Sequence, residues 1–129
     1  VRILLVEDNA ANLDLMSYLL RAFGHEVSCE TDGLAGLKCA HDGSFDLVLC
    51  DILMPELDGY EFARRFRSDP RLRESPLIAV TALAMAGDRE KILAAGFDGY
   101  ISKPIDPQVF QAQIESTIAK RKHGQSSDR

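Results

Sequence analysis

No run of apolar residues in this chain approaches the roughly 20 needed to span a bilayer, and no signal peptide is visible. Basic residues do not dominate. The net charge of −5 argues against a nucleic-acid surface, which needs a positive patch. Cysteine is scarce: Cys29, Cys39 and Cys50 are odd in number, fit no zinc spacing and read as reduced thiols in a cytosolic setting. Cys50 lies in an apolar run, which raises a thiol pKa, so it reads as a core residue rather than a nucleophile. His25, His41 and His123 share no motif and read as surface residues. There is no internal repeat, no low-complexity segment and no sign of a second domain. The chain opens on Val1 without a methionine, as expected of a processed product or a fragment.

What is present is an alternation of short apolar runs with amphipathic segments, the signature of βαβ units and a parallel sheet. With 129 residues the chain is long enough to bury a real core. Strands are expected at 2–6, 26–30, 46–50, 76–80 and 98–101, the second and last being the weaker and edge-like. Between them, Leu13, Met16, Leu20 and Phe23 share a helical stripe, as do Phe62 with Phe66, and Phe110 with Ile114 and Ile118. Gly24, Gly43 and Gly96 stand where a helix wants a left-handed terminator. Asp58 with Glu61 reads as a capping box, and Asp106-Pro107 as an N-cap followed by proline at the first helical position. The domain is expected over 1–121, with 122–129 a flexible polar tail.

The apolar runs end on polar groups. Ile3-Leu4-Leu5-Val6 is followed by Glu7 and Asp8, and Leu47-Val48-Leu49-Cys50 by Asp51. Leu77-Ile78-Ala79-Val80 is followed by Thr81, and Tyr100-Ile101 by Ser102-Lys103-Pro104. In a parallel sheet these ends share the carboxyl edge, where open α/β folds place their sites. Two carboxylates about 4 Å apart repel by roughly 4 kcal/mol at an effective dielectric of 20. Lys103 offsets one of three such charges, and a divalent cation would offset the other two. Oxygen ligands without His or Cys favour a hard ion, Mg²⁺, with Mn²⁺ as a substitute. A hydroxyl and an ammonium beside a metal-bound carboxylate suit phosphoryl transfer, with Asp51 as nucleophile and Thr81 and Lys103 on the phosphoryl oxygens.

The pieces Val6-Glu7-Asp8-Asn9, Asp51-Ile52-Leu53-Met54-Pro55, Asp58-Gly59, Val80-Thr81-Ala82 and Lys103-Pro104 occur in order. On them the chain resembles the receiver domain of bacterial two-component response regulators, from about Arg2 to about Lys120. The run from Val80 to Asp88 is similar to that of stand-alone DivK-type receivers and of hybrid histidine kinase receivers. The resemblance implies a flavodoxin-like α/β fold: one five-stranded parallel sheet, order 2-1-3-4-5, with helices on both faces. It implies Asp51 as phosphoacceptor, and Mg²⁺ held by Asp8, Asp51, the Leu53 carbonyl and, mostly through water, Glu7. Lys103-Pro104 is expected to be cis. The resemblance also implies that Thr81 and the aromatic Tyr100 form a switch that remodels the face made by the fourth helix, fifth strand and fifth helix.

The implied phosphodonor is a histidine kinase or histidine phosphotransfer protein, and the implied output a protein effector. No nucleic-acid or membrane contact is expected of this cytoplasmic domain. The resemblance implies no enzyme activity beyond its own phosphorylation and slow autodephosphorylation. Leu53 and Leu83 would flank the phosphoryl group, and neither can orient a water, so a long phosphoryl lifetime is expected. The alternative is a Mg²⁺-dependent aspartyl-phosphate phosphohydrolase of the haloacid-dehalogenase kind. Such enzymes carry Asp-x-Asp after the first strand and a cap segment, and neither is seen here. A flavodoxin-like cofactor binder would need a phosphate loop where Glu7 and Asp8 stand.

Overall fold

The computed structural model describes residues 1–82 and 87–127, with side chains as far as Lys120. Strands and helices alternate: β1 (Arg2–Val6), α1 (Ala10–Ala22), β2 (Glu26–Glu30), α2 (Gly33–Asp42), β3 (Leu47–Asp51), α3 (Gly59–Ser68), β4 (Leu77–Thr81), α4 (Asp88–Ala95), β5 (Gly99–Ser102) and α5 (Pro107–Ser127). All strand pairs are parallel, in the order β2-β1-β3-β4-β5. The expected architecture is the one observed.

Parallel sheets bury both faces, which is why β1, β3 and β4 read as unbroken apolar runs. Side chains alternate across the sheet. Leu4, Val6, Val48, Cys50, Leu77 and Ala79 point to one side, where Phe62 and Phe66 of α3 and Ile92 of α4 cover them. Ile3, Leu5, Leu47, Leu49, Ile78 and Val80 point to the other, under Met16 and Leu20 of α1 and Phe110 and Ile114 of α5. The Phe62 and Phe66 rings stack, with centroids 5.9 Å apart.

Register then fixes where the polar ends fall. Val6 pairs with Cys50, Asp51 with Val80, and Thr81 with Ser102. Glu7 and Asp51 therefore leave the sheet at one level, with Thr81 one step and Lys103 two steps beyond on the next strands.

Several local expectations are corrected. The last three strands sit one residue later than expected, so Asp51 and Thr81 are the final members of their strands rather than residues after them. Proline has no N–H for the ladder, and Pro76 instead offers its carbonyl to Val48 N at 3.0 Å. Gly24 and Gly96 are left-handed as expected (φ 96° and 119°), but Gly43 is extended at φ −95°, ψ −171°. Its glycine is needed for room: a Cβ there would stand 2.7 Å from the Phe45 ring and 3.0 Å from the Cys39 carbonyl.

Only half of the expected capping box forms. Asp58 Oδ1 accepts from Glu61 N at 3.0 Å, while both Glu61 carboxylate oxygens turn to Arg64 and Arg65. Asp106 Oδ1 accepts from Gln108 N at 3.0 Å, capping α5 as expected. The backbone of α5 is helical to Ser127, across much of the segment assigned to a tail, and residues 128–129 lie outside the described ones. Cys50 is buried, and burial pushes its thiol well up. His41 is not idle: its Nδ1 lies 2.6 Å from Asp69 Oδ2. His123 falls where side chains are not described. No described helix is long and apolar enough to cross a membrane.

Candidate functional site

Glu7 leaves β1 into the interior and is wholly buried. Its Oε2 accepts from Asn9 N at 3.2 Å, while Asn9 Oδ1 caps α1 by accepting from Asn12 N at 3.0 Å. One short turn thus starts a helix and fixes a carboxylate. Asp51 ends β3 with its side chain 5% exposed; its Oδ1 accepts from Leu53 N at 3.2 Å. Lys103 reaches in from the end of β5, its Nζ 2.8 Å from Glu7 Oε1 and 3.2 Å from Asp51 Oδ2. The Lys103 N–H donates to the Thr81 carbonyl at 2.8 Å, tying the last two strand ends together. Thr81 is fully buried, Asp8 is exposed, and Lys103-Pro104 is cis as expected.

The electrostatics are those of crowded carboxylates in a dry place. Burial, reinforced by Asp51, raises the Glu7 pKa to about 7, against the pull of Lys103 and the Asn9 N–H. Lys103 is moved the other way by burial, the largest single effect on it, yet Glu7 and Asp51 together leave it raised. With both carboxylates ionised, Glu7 and Asp51 exceed Lys103 by one negative charge, and Asp8 adds a second.

Glu7, Asp8 and Asp51 each offer a carboxylate oxygen, and these lie within 4.8 Å of one another. Opposite ligands of Mg²⁺ stand about 4.2 Å apart. Of three such ligands at least two pairs are adjacent, about 3 Å apart, so the cluster would close on the ion or reach it partly through water. Glu7 Oε1 is buried without a hydrogen bond of good geometry, although Lys103 Nζ is near. Such an oxygen gains from a cation, and an all-oxygen donor set suits a hard one. The residues fit Mg²⁺.

Residues 3–115 match the family model of the response regulator receiver domain. The chain belongs to that family. It is 42% identical over 116 residues to the polar-differentiation response regulator DivK of Brucella anthropi, covering 90% of this chain and 94% of that one. The receiver domain of a sensor histidine kinase from Pseudomonas aeruginosa PAO1, which has a magnesium ion coordinated in its active-site cleft, superimposes with a TM-score of 0.84. It is 37% identical, over 92% of this chain and 97% of that one. The chemotaxis protein CheY4 of Vibrio cholerae shares the fold, with a TM-score of 0.86 at 25% identity over 91% and 98% of the two chains.

Within this receiver, the residues singled out from sequence fall in three groups. Glu7, Asp8, Asp51 and Lys103 come together, with Thr81 beside them on the sheet edge. Tyr100 is half-buried in β5 and packs on the cluster under α3 and α4. Leu53 is 57% exposed two residues past Asp51, and Leu83 lies outside the described residues. Sequence reasoning missed the close approach of Gly59 to the Asp51 segment. It noted Gly59 only as part of a motif, and a glycine after Asp reads equally well as a helix start.

Proposed function

We propose that this receiver takes a phosphoryl group from a phosphohistidine onto Asp51 and thereby changes the protein surface it offers to partners. The observation that carries the reading is the shared contact of Lys103 Nζ with the Glu7 and Asp51 carboxylates at the carboxyl edge of the sheet. The Asp51 carboxylate oxygen attacks phosphorus, the P–N bond to the donor imidazole breaks, and the imidazole leaves with that electron pair. Loss of the group is attack of water on phosphorus, breaking the P–O bond to release inorganic phosphate and restore the carboxylate. Both reactions need charge neutralisation and alignment more than covalent help.

Glu7, Asp8, Asp51 and the Leu53 carbonyl would hold Mg²⁺, with Mn²⁺ as a substitute. Bound there, the cation supplies charge stabilisation to the phosphoryl oxygens. Thr81 donates its hydroxyl to one phosphoryl oxygen and Lys103 its ammonium to another. As Thr81 moves toward the phosphoryl group, Tyr100 turns inward, and the face formed by α4, β5 and α5 is remodelled. That is a population shift between two packings of one fold. Leu53 and Leu83 flank the group without orienting water, which prolongs its life. The donor is a histidine kinase or phosphotransfer protein, the reader is a protein effector, and the setting is the cytoplasm.

Incubation with acetyl phosphate and Mg²⁺ tests this directly. One phosphoryl mass is added to the wild type and none to Asp51→Asn. Turnover of a phosphomonoester in excess of protein would favour an aspartyl-phosphate phosphohydrolase instead.

A further inference from the structure

The first residue of α3 lies against the chain just past the phosphoacceptor position. A Cβ on Gly59 would stand 2.5 Å from Ile52 Cα, 2.7 Å from the Asp51 carbonyl oxygen and 3.1 Å from Ile52 Cδ1. The first two are backbone atoms, which cannot turn aside as a side-chain tip can. Gly59 is not in the left-handed region, so its requirement is for space and not for conformation. The same residue donates its N–H to the Ile52 carbonyl at 2.8 Å, and that carbonyl also accepts from Met54 N at 3.2 Å. One residue on, Leu53 N donates to Asp51 Oδ1 at 3.2 Å. Asp58 caps the helix at this point by accepting from Glu61 N. The exit of β3 and the entry of α3 are therefore one bonded unit, closed by direct backbone contact.

We propose that Gly59 is a positioning residue for the phosphoryl-accepting site, its missing Cβ letting α3 seat on Asp51-Ile52 so that the Asp51 carboxylate and the Leu53 carbonyl are presented together to the cation. This rests on the functional reading above and adds a residue that touches neither cation nor phosphoryl group. A Cβ at position 59 forces the helix start away from Ile52. The Gly59–Ile52 hydrogen bond then opens and the turn carrying Leu53 loses its anchor. Groups that hold metal ligands in place, without being ligands, set affinity by about tenfold or more.

The test is a Mg²⁺ titration of the full chain, followed by calorimetry and by the amide resonances of residues 51–54. Wild type, Gly59→Ala and Gly43→Ala are compared, and each is also melted in chelator. Gly43 is another crowded glycine, at the opposite edge of the sheet, where a Cβ meets the Phe45 ring at 2.7 Å and the Cys39 carbonyl at 3.0 Å. Both variants are expected to lose stability. Only Gly59→Ala weakens Mg²⁺ by about tenfold or more and shifts the Ile52, Leu53 and Met54 amides.

Unchanged Mg²⁺ affinity in Gly59→Ala, or an equal loss in Gly43→Ala, would overturn the assignment. Should Gly59→Ala fail to fold, a glycine inserted between Leu57 and Asp58 loosens the same seat without adding a Cβ. It is expected to weaken Mg²⁺ likewise, and unchanged affinity counts against the proposal. A wild type indifferent to Mg²⁺ would contradict the functional reading itself. The positioning role would then be decided by the 51–54 amides, which must move in Gly59→Ala and stay in Gly43→Ala.

Discussion

The Lys103 ammonium sits 2.8 Å from Oε1 of Glu7, joining the last strand to the first through a pair that is largely out of water. Removing one partner of such a pair leaves an uncompensated buried charge, at a cost of about 3–5 kcal/mol. Lys103→Met is therefore expected to destabilise the metal-free protein by about that much near pH 8. Near pH 5.5 the loss shrinks, because Glu7 then carries a proton. Denaturant unfolding in chelator at the two pH values measures this; an equal loss at both contradicts it.

Under the proposed function, protons and Mg²⁺ are expected to compete at Glu7. Its pKa in the folded protein, about 7, stands above the ordinary 4.5. Between those values the native state holds a proton that the unfolded chain has released. The resulting stabilisation is full below 4.5 and is lost as pH rises through about 7. Mg²⁺ held by Glu7 would expel the same proton. Apparent Mg²⁺ affinity is accordingly expected to rise with pH across this range, and the slope to flatten in Glu7→Gln. Titration calorimetry in buffers of different ionisation enthalpy counts the protons released.

Arginines on one helix differ sharply in worth. Arg67 donates to the carbonyls of Gly96 (2.8 Å), Arg73 (2.9 Å) and Ser75 (2.6 Å), and to Asp98 Oδ2 (2.9 Å). It pins the end of α4 and the start of β5 to α3. Arg64, 72% exposed, pairs only with Glu61 among the described residues. Arg67→Ala is expected to lower stability by about 2–4 kcal/mol, and Arg64→Ala by less than about 1 kcal/mol. Chemical denaturation of both variants decides it.

The proposed function assigns phosphoryl lifetime to Leu53 and Leu83. Leu53→Asn combined with Leu83→Glu introduces groups able to orient water beside the phosphoryl group. Faster decay of a phosphoryl label is expected, and an unchanged rate would refute the role given to these positions.

Much of the sheet and its active edge was legible because it depends on local signals. Unbroken apolar runs ending in Glu7, Asp51 and Thr81 announce buried parallel strands, and parallel register brings their ends together without further information. What was not legible depends on who meets whom. Gly24 and Gly43 look alike in sequence, yet one is left-handed and the other makes room for a phenylalanine ring. Glu61 stands at capping-box spacing, but Arg64 and Arg65 compete for its carboxylate. His41 and Asp69 are 28 residues apart, and no periodicity links them. Glu56 adopts φ 66°, a conformation uncommon for non-glycine residues, in the loop that follows Asp51. The contact of Gly59 with Ile52 likewise emerges only when α3 docks on β3.

The most direct measurement locates the phosphoryl group itself. Borohydride reduces an acyl phosphate to the alcohol, so the protein treated with acetyl phosphate and Mg²⁺ and then reduced should carry homoserine in place of Asp51, read by peptide mass spectrometry. Modification at position 51 alone is the predicted result. A label on Glu7, Asp8 or a hydroxyl side chain, with Asp51 intact, would contradict it.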